Sequence, residues 1–203
     1  MPTPPRRTAP IALHRGARVY ICLPRRRDAD AFLAAVHASK RLHGAWVRAP
    51  QAVAGFRDYV ARFGLRARRD PLTAKHAGVL VRRIDDDAIV GVFNFSEIVR
   101  GSFHSAYLGY YAFEPHAGNG HMAEGLALAL KFAFRTLRLH RVEVNVQPRN
   151  ARSHALVLGA GFVREGFSRR YLRIAGGWED HLLFARTAEE HGGGAVRRSV
   201  NEP

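Results

Sequence analysis

Apolar residues recur at Met122, Leu126, Ala129, Leu130, Ala133 and Leu137. Steps of three and four place them on one helical face and predict a buried stripe. Two earlier segments carry the same period. Ala31, Phe32, Ala35 and Val36 mark a helix over 27–42, and Val53, Phe56, Val60 and Phe63 mark another over about 52–65. Strand patterns lie between and after these. Residues 19–23 (VYICL) are a short apolar run, and 78–83 and 88–96 are β-rich segments separated by Asp85-Asp86-Asp87, which suits a hairpin turn. A strand is expected over 106–113, ahead of the long helix, and 142–147 (VEVNVQ) alternate after it. Asn150 can cap a short helix that stops near Gly159 to Gly161. From Phe162 onward, strands at 171–174 and 178–185 are joined by a Gly176-Gly177 turn. The order is one strand, two helices, an antiparallel meander, a βαβ crossover, a helix and a final hairpin. That is a mixed α/β domain.

Length and composition place this pattern in one domain. The chain has 203 residues and is 47% hydrophobic. Residues 1–17, rich in proline and arginine, read as a loose arm, 18–187 as the domain, and 188–203 as a loose tail. No apolar run approaches the ~20 residues of a membrane span. The first ten residues hold two arginines and no apolar core, so they do not form a secretory signal. The single cysteine, Cys22, excludes an internal disulfide and a cysteine-rich zinc site and fits a reducing cytoplasm. It reads as a core residue of the first strand. Eleven histidines show no H-E-x-x-H spacing, so no metal is expected. His37, His43, His116, His121 and His140 read as surface residues. The net charge is +15, carried almost wholly by arginine. It admits a polyanion or ribosome partner, and a general preference for arginine explains it equally well. The basic runs at 25–27, 66–69, 82–83 and 169–170 are scattered and lack interleaved aromatics, so the nucleic-acid signal is weak.

The candidate chemistry begins at HAGNGHMAEG (116–125), where two glycines precede the long helix. Free N–H groups and the positive end of the helix dipole converge there, and residues without β-carbons let an anion approach the main chain. An ordinary glycine turn before a core helix is the plain alternative. Gly118, Gly120 and Ala123 match the dinucleotide pattern G-x-G-x-x-A, with Glu143 downstream. However, that pattern normally follows the first strand of a parallel sheet, and here a meander precedes it. The P-loop pattern fails, because no Lys-Ser or Lys-Thr follows Gly125.

The glycine loop, together with GVFNFSEIVRGSFHSAYLGY (91–110), LHRVEVNVQPRNARS (139–153), LGAGFVREG (158–166) and YLRIAGGWEDHLLFA (171–185), resembles the GNAT acetyltransferases over roughly residues 18–187. Within that family the likeness is to the bacterial ribosomal-protein-alanine N-acetyltransferases of the RimJ type. Trp46 is similar to the family's tryptophan after the first helix. The resemblance implies a single GNAT fold: a mixed, mostly antiparallel sheet with a central βαβ acetyl-CoA-binding unit flanked by helices. It also implies that the strand near Ala112 and Phe113 splays from its neighbour and pairs with the pantetheine amides. Main-chain N–H groups of Gly118, Asn119, Gly120, His121 and Met122 would bind the pyrophosphate. Asn150 would meet the pantetheine arm, and Ser153 would lie near the sulfur. Pro115 stands where many members carry Gln or Arg.

Acetyl transfer to an amine needs a neutral amine, a polarised carbonyl and a stabilised leaving thiolate. Ser153 is placed either to protonate the thiolate or to cap the helix after Asn150. For the base, Glu97 and His104 are expected to flank the acceptor cleft, with Glu114 and Glu143 behind them and a water chain as a further route. His104 also suits a hydrogen-bonding loop role. Some relatives keep a glutamate where this chain has Asn145, and some an acid where it has Arg170. Glu179 and Asp180 suit a cationic acceptor or a hairpin surface. The implied function is direct transfer of acetyl from acetyl-CoA to the N-terminal α-amine of a protein, a ribosomal protein by the resemblance. The alternatives are a small-amine or antibiotic-like acceptor, and a ribosome- or RNA-associated factor that keeps the fold with little catalysis.

Overall fold

The computed structural model describes residues 10–44 and 46–192. One eight-stranded sheet organises them: β1 (His14–Arg15), β2 (Val19–Cys22), β3 (Ala77–Arg83), β4 (Ile89–Val99), β5 (Ser105–Ala112), β6 (Arg141–Val146), β7 (Val163–Ile174) and β8 (Gly177–Thr187). Their spatial order is β1-β2-β3-β4-β5-β6-β8-β7. Only β5 and β6 run parallel. This is the mixed, mostly antiparallel sheet that the resemblance implies, with longer strands in the final hairpin than the pattern marks. The expected long helix is α5 (His121–Lys131), extended by π-helical turns over Phe132–Thr136. It crosses from β5 to β6. The capped short helix is α6 (Ala151–Gly159).

The sheet separates two cores. On one face the stripe of α5, including Leu126, Ala129 and Leu130, packs on Val79, Val81, Phe93 and Phe95. Gly125 permits this approach, because a β-carbon there would lie 2.9 Å from Val81. On the other face, α1 (Ala29–Ala38), α2 (Lys40–His43) and α3 (Val53–Val60) bring Phe32, Val36, Phe56 and Tyr59 onto Tyr20, Cys22, Leu80, Val92 and Phe113. These helices cover β2–β4. Farther along that face, Tyr107 on β5 stays exposed.

Three expectations are revised. His14 and Arg15, read as part of a loose arm, add an edge strand to β2, with Leu13 N–H donating to the Ile21 carbonyl at 2.8 Å. Residues 188–191 form α7 (Ala188–His191), capped by Thr187. The rest of the arm (1–9) and of the tail (193–203) lies outside the described residues. His43, read as a surface residue, is buried; its ring packs against Tyr111 and Phe113. Its Nε2 bonds the Ala112 carbonyl at 2.8 Å. Cys22 is buried in β2, as expected.

A charged cluster joins α1 to the sheet. The Arg82 guanidinium donates to Asp28 at 2.9 Å, to the Asp87 carboxylate at 3.1 Å and to the Asp87 carbonyl at 2.8 Å. Tyr20 donates to the same Asp87 carboxylate. The Asp28 and Arg82 side chains are almost wholly buried. Breaking such a pair leaves an uncompensated charge inside the protein and costs about 3–5 kcal/mol. Asp28→Ala should therefore lower unfolding stability by about that amount. Asp85→Ala, at the exposed end of the turn, should stay within about 0.5 kcal/mol. Urea denaturation of both variants measures the difference.

Candidate active site

β5 and β6 pair over only three positions, Ser105 with Arg141, Ala106 with Val142 and Tyr107 with Glu143. Beyond Tyr107 the strands part. β5 stays with β4 as far as Ala112 opposite Gly91, and β6 stays with β8 as far as Val146 opposite Leu182. Each strand holds its outer neighbour and leaves its inner edge open. The antiparallel ladder shows which groups face that opening. Phe113 N–H donates to the Val90 carbonyl, which makes Ala112 and Gly91 a non-hydrogen-bonded pair. The Leu108 N–H is still spent on the Glu143 carbonyl in the last paired position, so the Leu108 C=O, both groups of Tyr110 and the N–H of Ala112 point into the opening. Phe113 is not among them: its N–H is committed to Val90 and its carbonyl accepts from His116. The Ala112 carbonyl is taken by His43. Of the two residues expected to pair with an extended ligand, Ala112 keeps its N–H for the task and Phe113 does not.

The glycine loop closes one end of the opening. Gly118 and Gly120 have φ of 85° and 76°, the left-handed region that glycine enters without strain. A β-carbon at Gly118 would meet nothing. Gly120 is the N-cap of α5, and its carbonyl accepts from Ala123 and Glu124. The N–H groups of Gly118, Asn119, Gly120, His121 and Met122 have no partner among the described residues, as the start of a helix requires. The buried Nδ1 of His121 is also unpartnered. Unused donors and the positive helix end together fit a pyrophosphate.

Arg18, not identified in the sequence, holds the loop in place. Its side chain donates to the Asn119 carbonyl at 3.1 Å and to Glu124 at 3.0 Å, and its backbone N–H reaches Glu124 at 2.8 Å. Burial pushes the Glu124 carboxyl up, but these hydrogen bonds outweigh it and hold it below the usual range. No local pattern announces this contact, since Arg18 and Glu124 are 106 residues apart.

Across the opening, Tyr110 on β5 meets Ser153 on α6, hydroxyl to hydroxyl. Asn150 supplies the helix cap, accepting from Ser153 N–H at 3.1 Å. The Ser153 hydroxyl is thus engaged with Tyr110 and is not itself the cap. Burial pushes the Tyr110 hydroxyl up to about 12, only partly offset by Ser153. The pair faces the α5 core, against which Tyr110 packs.

The opposite face carries different groups. There the Tyr107 hydroxyl bonds Tyr171, which raises it to about 12 with help from burial. Asn145 donates to Tyr171 at 3.3 Å. Glu143 accepts from Arg141 at 3.0 Å and from Ser105 at 3.3 Å. A groove of about 370 Å³ continues outward between the β6–α6 turn and the β7–β8 hairpin, lined by Gln147, Pro148, Arg149, Arg170, Trp178, Glu179 and Asp180. Arg149 bridges it, 4.9 Å from the Trp46 ring and 3.6 Å from Glu179.

Glu97 and His104 lie elsewhere. Glu97 sits in the irregular stretch of β4 after Ser96, exposed and 3.8 Å from Arg62. His104 precedes β5, its Nδ1 bonding the Arg138 carbonyl at 3.2 Å. Both stand where β5 and β6 are still paired. From His104 to Tyr110 is six residues of extended chain, about 20 Å at ~3.3 Å each. The structure therefore does not bring either to Ser153. Glu114 is exposed on the glycine-loop side.

Comparison with known proteins identifies the family and the fold. The family model described as acetyltransferase (GNAT) domain matches residues 18–163. The ribosomal protein uS5-alanine N-acetyltransferase of Escherichia coli (strain K12) is 44% identical over 106 residues, 52% of this chain and 55% of that protein. The match thus spans about half the length of that relative. A probable N-acetyltransferase, YjcK, of Bacillus subtilis (strain 168) is 35% identical over 133 residues, 66% of this chain and 71% of that protein. Among solved structures, Mycobacterium smegmatis RimJ in complex with CoA-disulfide has a TM-score of 0.76 and 30% identity, covering 85% of this chain and 83% of that one.

If Arg18 positions the loop, Arg18→Ala should weaken binding of coenzyme A about tenfold, equivalent to ~1.4 kcal/mol. Its melting temperature should change little, because the Arg18 side chain is more than half exposed. Titration calorimetry gives the affinity, and an unchanged value removes Arg18 from the loop's support.

Proposed function

The chain belongs to the acetyltransferase (GNAT) family, and we propose that it transfers acetyl from acetyl-CoA directly to the N-terminal α-amine of a protein, a ribosomal protein being the acceptor class. The observation that carries this is the Tyr110–Ser153 pair spanning the parted strands beside a donor-rich glycine loop. The likeness to the uS5-alanine enzyme supports the acceptor class.

The residues present fit acetyl-CoA. Main-chain N–H groups of Gly118, Asn119, Gly120, His121 and Met122 would hold the pyrophosphate. The inner edge of β5 at Tyr110 and Ala112 would hold the pantetheine amides, and the Asn150 amide nitrogen would complete that grip. Bound there, the donor supplies an acetyl thioester already activated for attack. Ser153 donates a proton at the departing sulfur, Tyr110 replaces it through their shared hydrogen bond, and the proton shed by the attacking nitrogen as the amide forms returns to Tyr110 by way of solvent, which restores the pair. Burial keeps Tyr110 protonated for this role across the physiological range. The acceptor enters from the opposite face, where Tyr107, Asn145 and Tyr171 are gathered.

The acceptor assignment rests on proton chemistry. Glu143 is the carboxylate on β6 nearest this face, and Arg141 and Ser105 already occupy it. A protein α-amine titrates near ~7.7–8.0 and a lysine side chain near ~10.4. Without a strong base, the α-amine is the amine that is neutral often enough to attack.

Two outcomes are expected. Ser153→Ala and Tyr110→Phe should each lower kcat by ~10²–10⁴-fold with acetyl-CoA affinity nearly unchanged. The double variant should be little worse than either, since the two act as one unit. A loss confined to melting temperature would make the pair structural.

For peptides beginning with Ala or Ser, kcat/KM should rise with pH and level off near ~8, the α-amine value. Because its folded pKa is raised, Tyr110 keeps its proton up to about 12 and imposes no alkaline fall before then. Mass spectrometry of a peptide carrying both amines reads the site. Predominant lysine acetylation, or rapid modification of a small amine beside none of the peptide, defeats the assignment.

A further inference from the structure

Gly78, Asn94 and Gly109 lie opposite one another on β3, β4 and β5 and so share one face of the sheet. The face is that of α1–α3, because the Asn94 side chain accepts from Tyr59 of α3 at 2.7 Å. The two glycines at the ends of this row have opposite surroundings. A β-carbon at Gly78 would lie 2.8 Å from Asn94 Oδ1, 2.9 Å from Phe63 Cβ and 3.2 Å from the Tyr59 hydroxyl. A β-carbon at Gly109 would meet nothing within 4 Å. The helical layer therefore fills the row at Gly78 and leaves it open at Gly109.

Along β5 the neighbours on the same face are Tyr107 and Tyr111, one on each side of this gap. Tyr107 is 40% exposed. Tyr111 is fixed against His43 and Phe113. Across the parted strands stands the Tyr171 hydroxyl, which receives the Asn145 amide and is bonded to Tyr107. Gly109 is thus an exposed position without a side chain between two tyrosines, with polar groups across the parted strands, and this gap is called the slot below. It opens on the face opposite the Tyr110–Ser153 pair and beside the edge where β5 has lost its partner.

We infer that Gly109 and its flanking tyrosines receive the first residue of the acceptor and limit that residue to a small side chain, Gly, Ala or Ser. This rests on the N-terminal acetylation reading above. One end of the Asn94 amide is committed to Tyr59, so its other end is available to a peptide carbonyl. Tyr171 accepts from Asn145 and from the Tyr107 hydroxyl, which that bond keeps protonated, and so its own O–H is left to donate. Donors at the back would hold the main chain of the first residue while its β-carbon rests over Gly109. A larger side chain would have to displace one of two tyrosines, and Tyr111 is held from behind. The absence of a side chain at position 109 is thus read as a requirement of the acceptor, since no neighbouring atom in the fold demands it.

The test uses peptides identical except for Gly, Ala, Ser or Val at the first position. The wild-type chain should acetylate the first three, and the Val peptide at least tenfold more slowly. Gly109→Ala adds a methyl in open space at a residue without positive φ, so melting temperature and coenzyme A affinity should be unchanged. Its kcat/KM should fall about 10- to 200-fold for Ala and Ser peptides, the range for one misplaced methylene, and much less for the Gly peptide. Tyr107→Ala, which removes the exposed wall, should raise the Val to Ala ratio about tenfold and does not depend on the first variant. If both variants keep the wild-type ranking while the peptides are still acetylated, the slot is wrong and N-terminal acetylation stands. If the wild-type chain acetylates none of the peptides, the functional reading and the slot fall together.

Discussion

The parting of β5 and β6 after Tyr107 and Glu143 is the constraint on which the site depends. It arises because each strand is bound more extensively on its outer side than on its inner one. A parallel pair that stops after three positions leaves a row of unsatisfied peptide groups in the middle of a sheet, which a protein normally avoids. Here the row is the surface proposed to hold acetyl-CoA. The gap also lets a side chain on one strand reach a helix that follows the other, and so allows Tyr110 and Ser153 to meet.

Two further contacts keep the gap in register. His43 holds the Ala112 carbonyl from one face, so the end of β5 cannot swing toward β6. Arg18 holds Asn119 and Glu124 from the start of β2, so the glycine loop keeps its donors in one arrangement. The helix supplies the positive end, but a loop of glycines has little stiffness of its own. An ion pair to another element supplies the stiffness. In this way the +15 charge has at least one local use, independent of any polyanion partner.

The sheet also divides the chemistry. In the proposed reaction, proton supply lies on the α5 side, through the buried Tyr110, and acceptor recognition on the α1–α3 side, around Tyr107, Gly109 and Tyr171. Successive β-strand residues point to opposite faces, so one strand provides both functions within five residues. This explains why three tyrosines so close in sequence do different work. Tyr107 and Tyr111 lie on one face beside Gly109 and Tyr110 on the other, packed against the α5 core, although the hydroxyls of all three are pushed up.

The periodicity of apolar residues determined the elements, because burying a stripe or an alternate face is a local condition on the chain. The glycine loop, the Asn150 cap and Ser153 were legible for a similar reason: helix starts need particular residues within a few positions. The contacts that make a site from these parts were not legible. Arg18, Tyr110 and His43 act on partners far away in sequence, and the registers of β4 with β5 and of β6 with β8 decide whom they meet. Glu97 and His104 illustrate the limit, since their sequence places them beside β5 but does not say which end of β5 is open. Phe113 is a second case, because strand alternation turns its N–H toward β4 instead of the gap. Even Gly78 and Gly109 are indistinguishable in sequence. Only the packing of α3 fills the space above one and leaves it empty above the other, because a helix layer of finite width covers part of a sheet and stops.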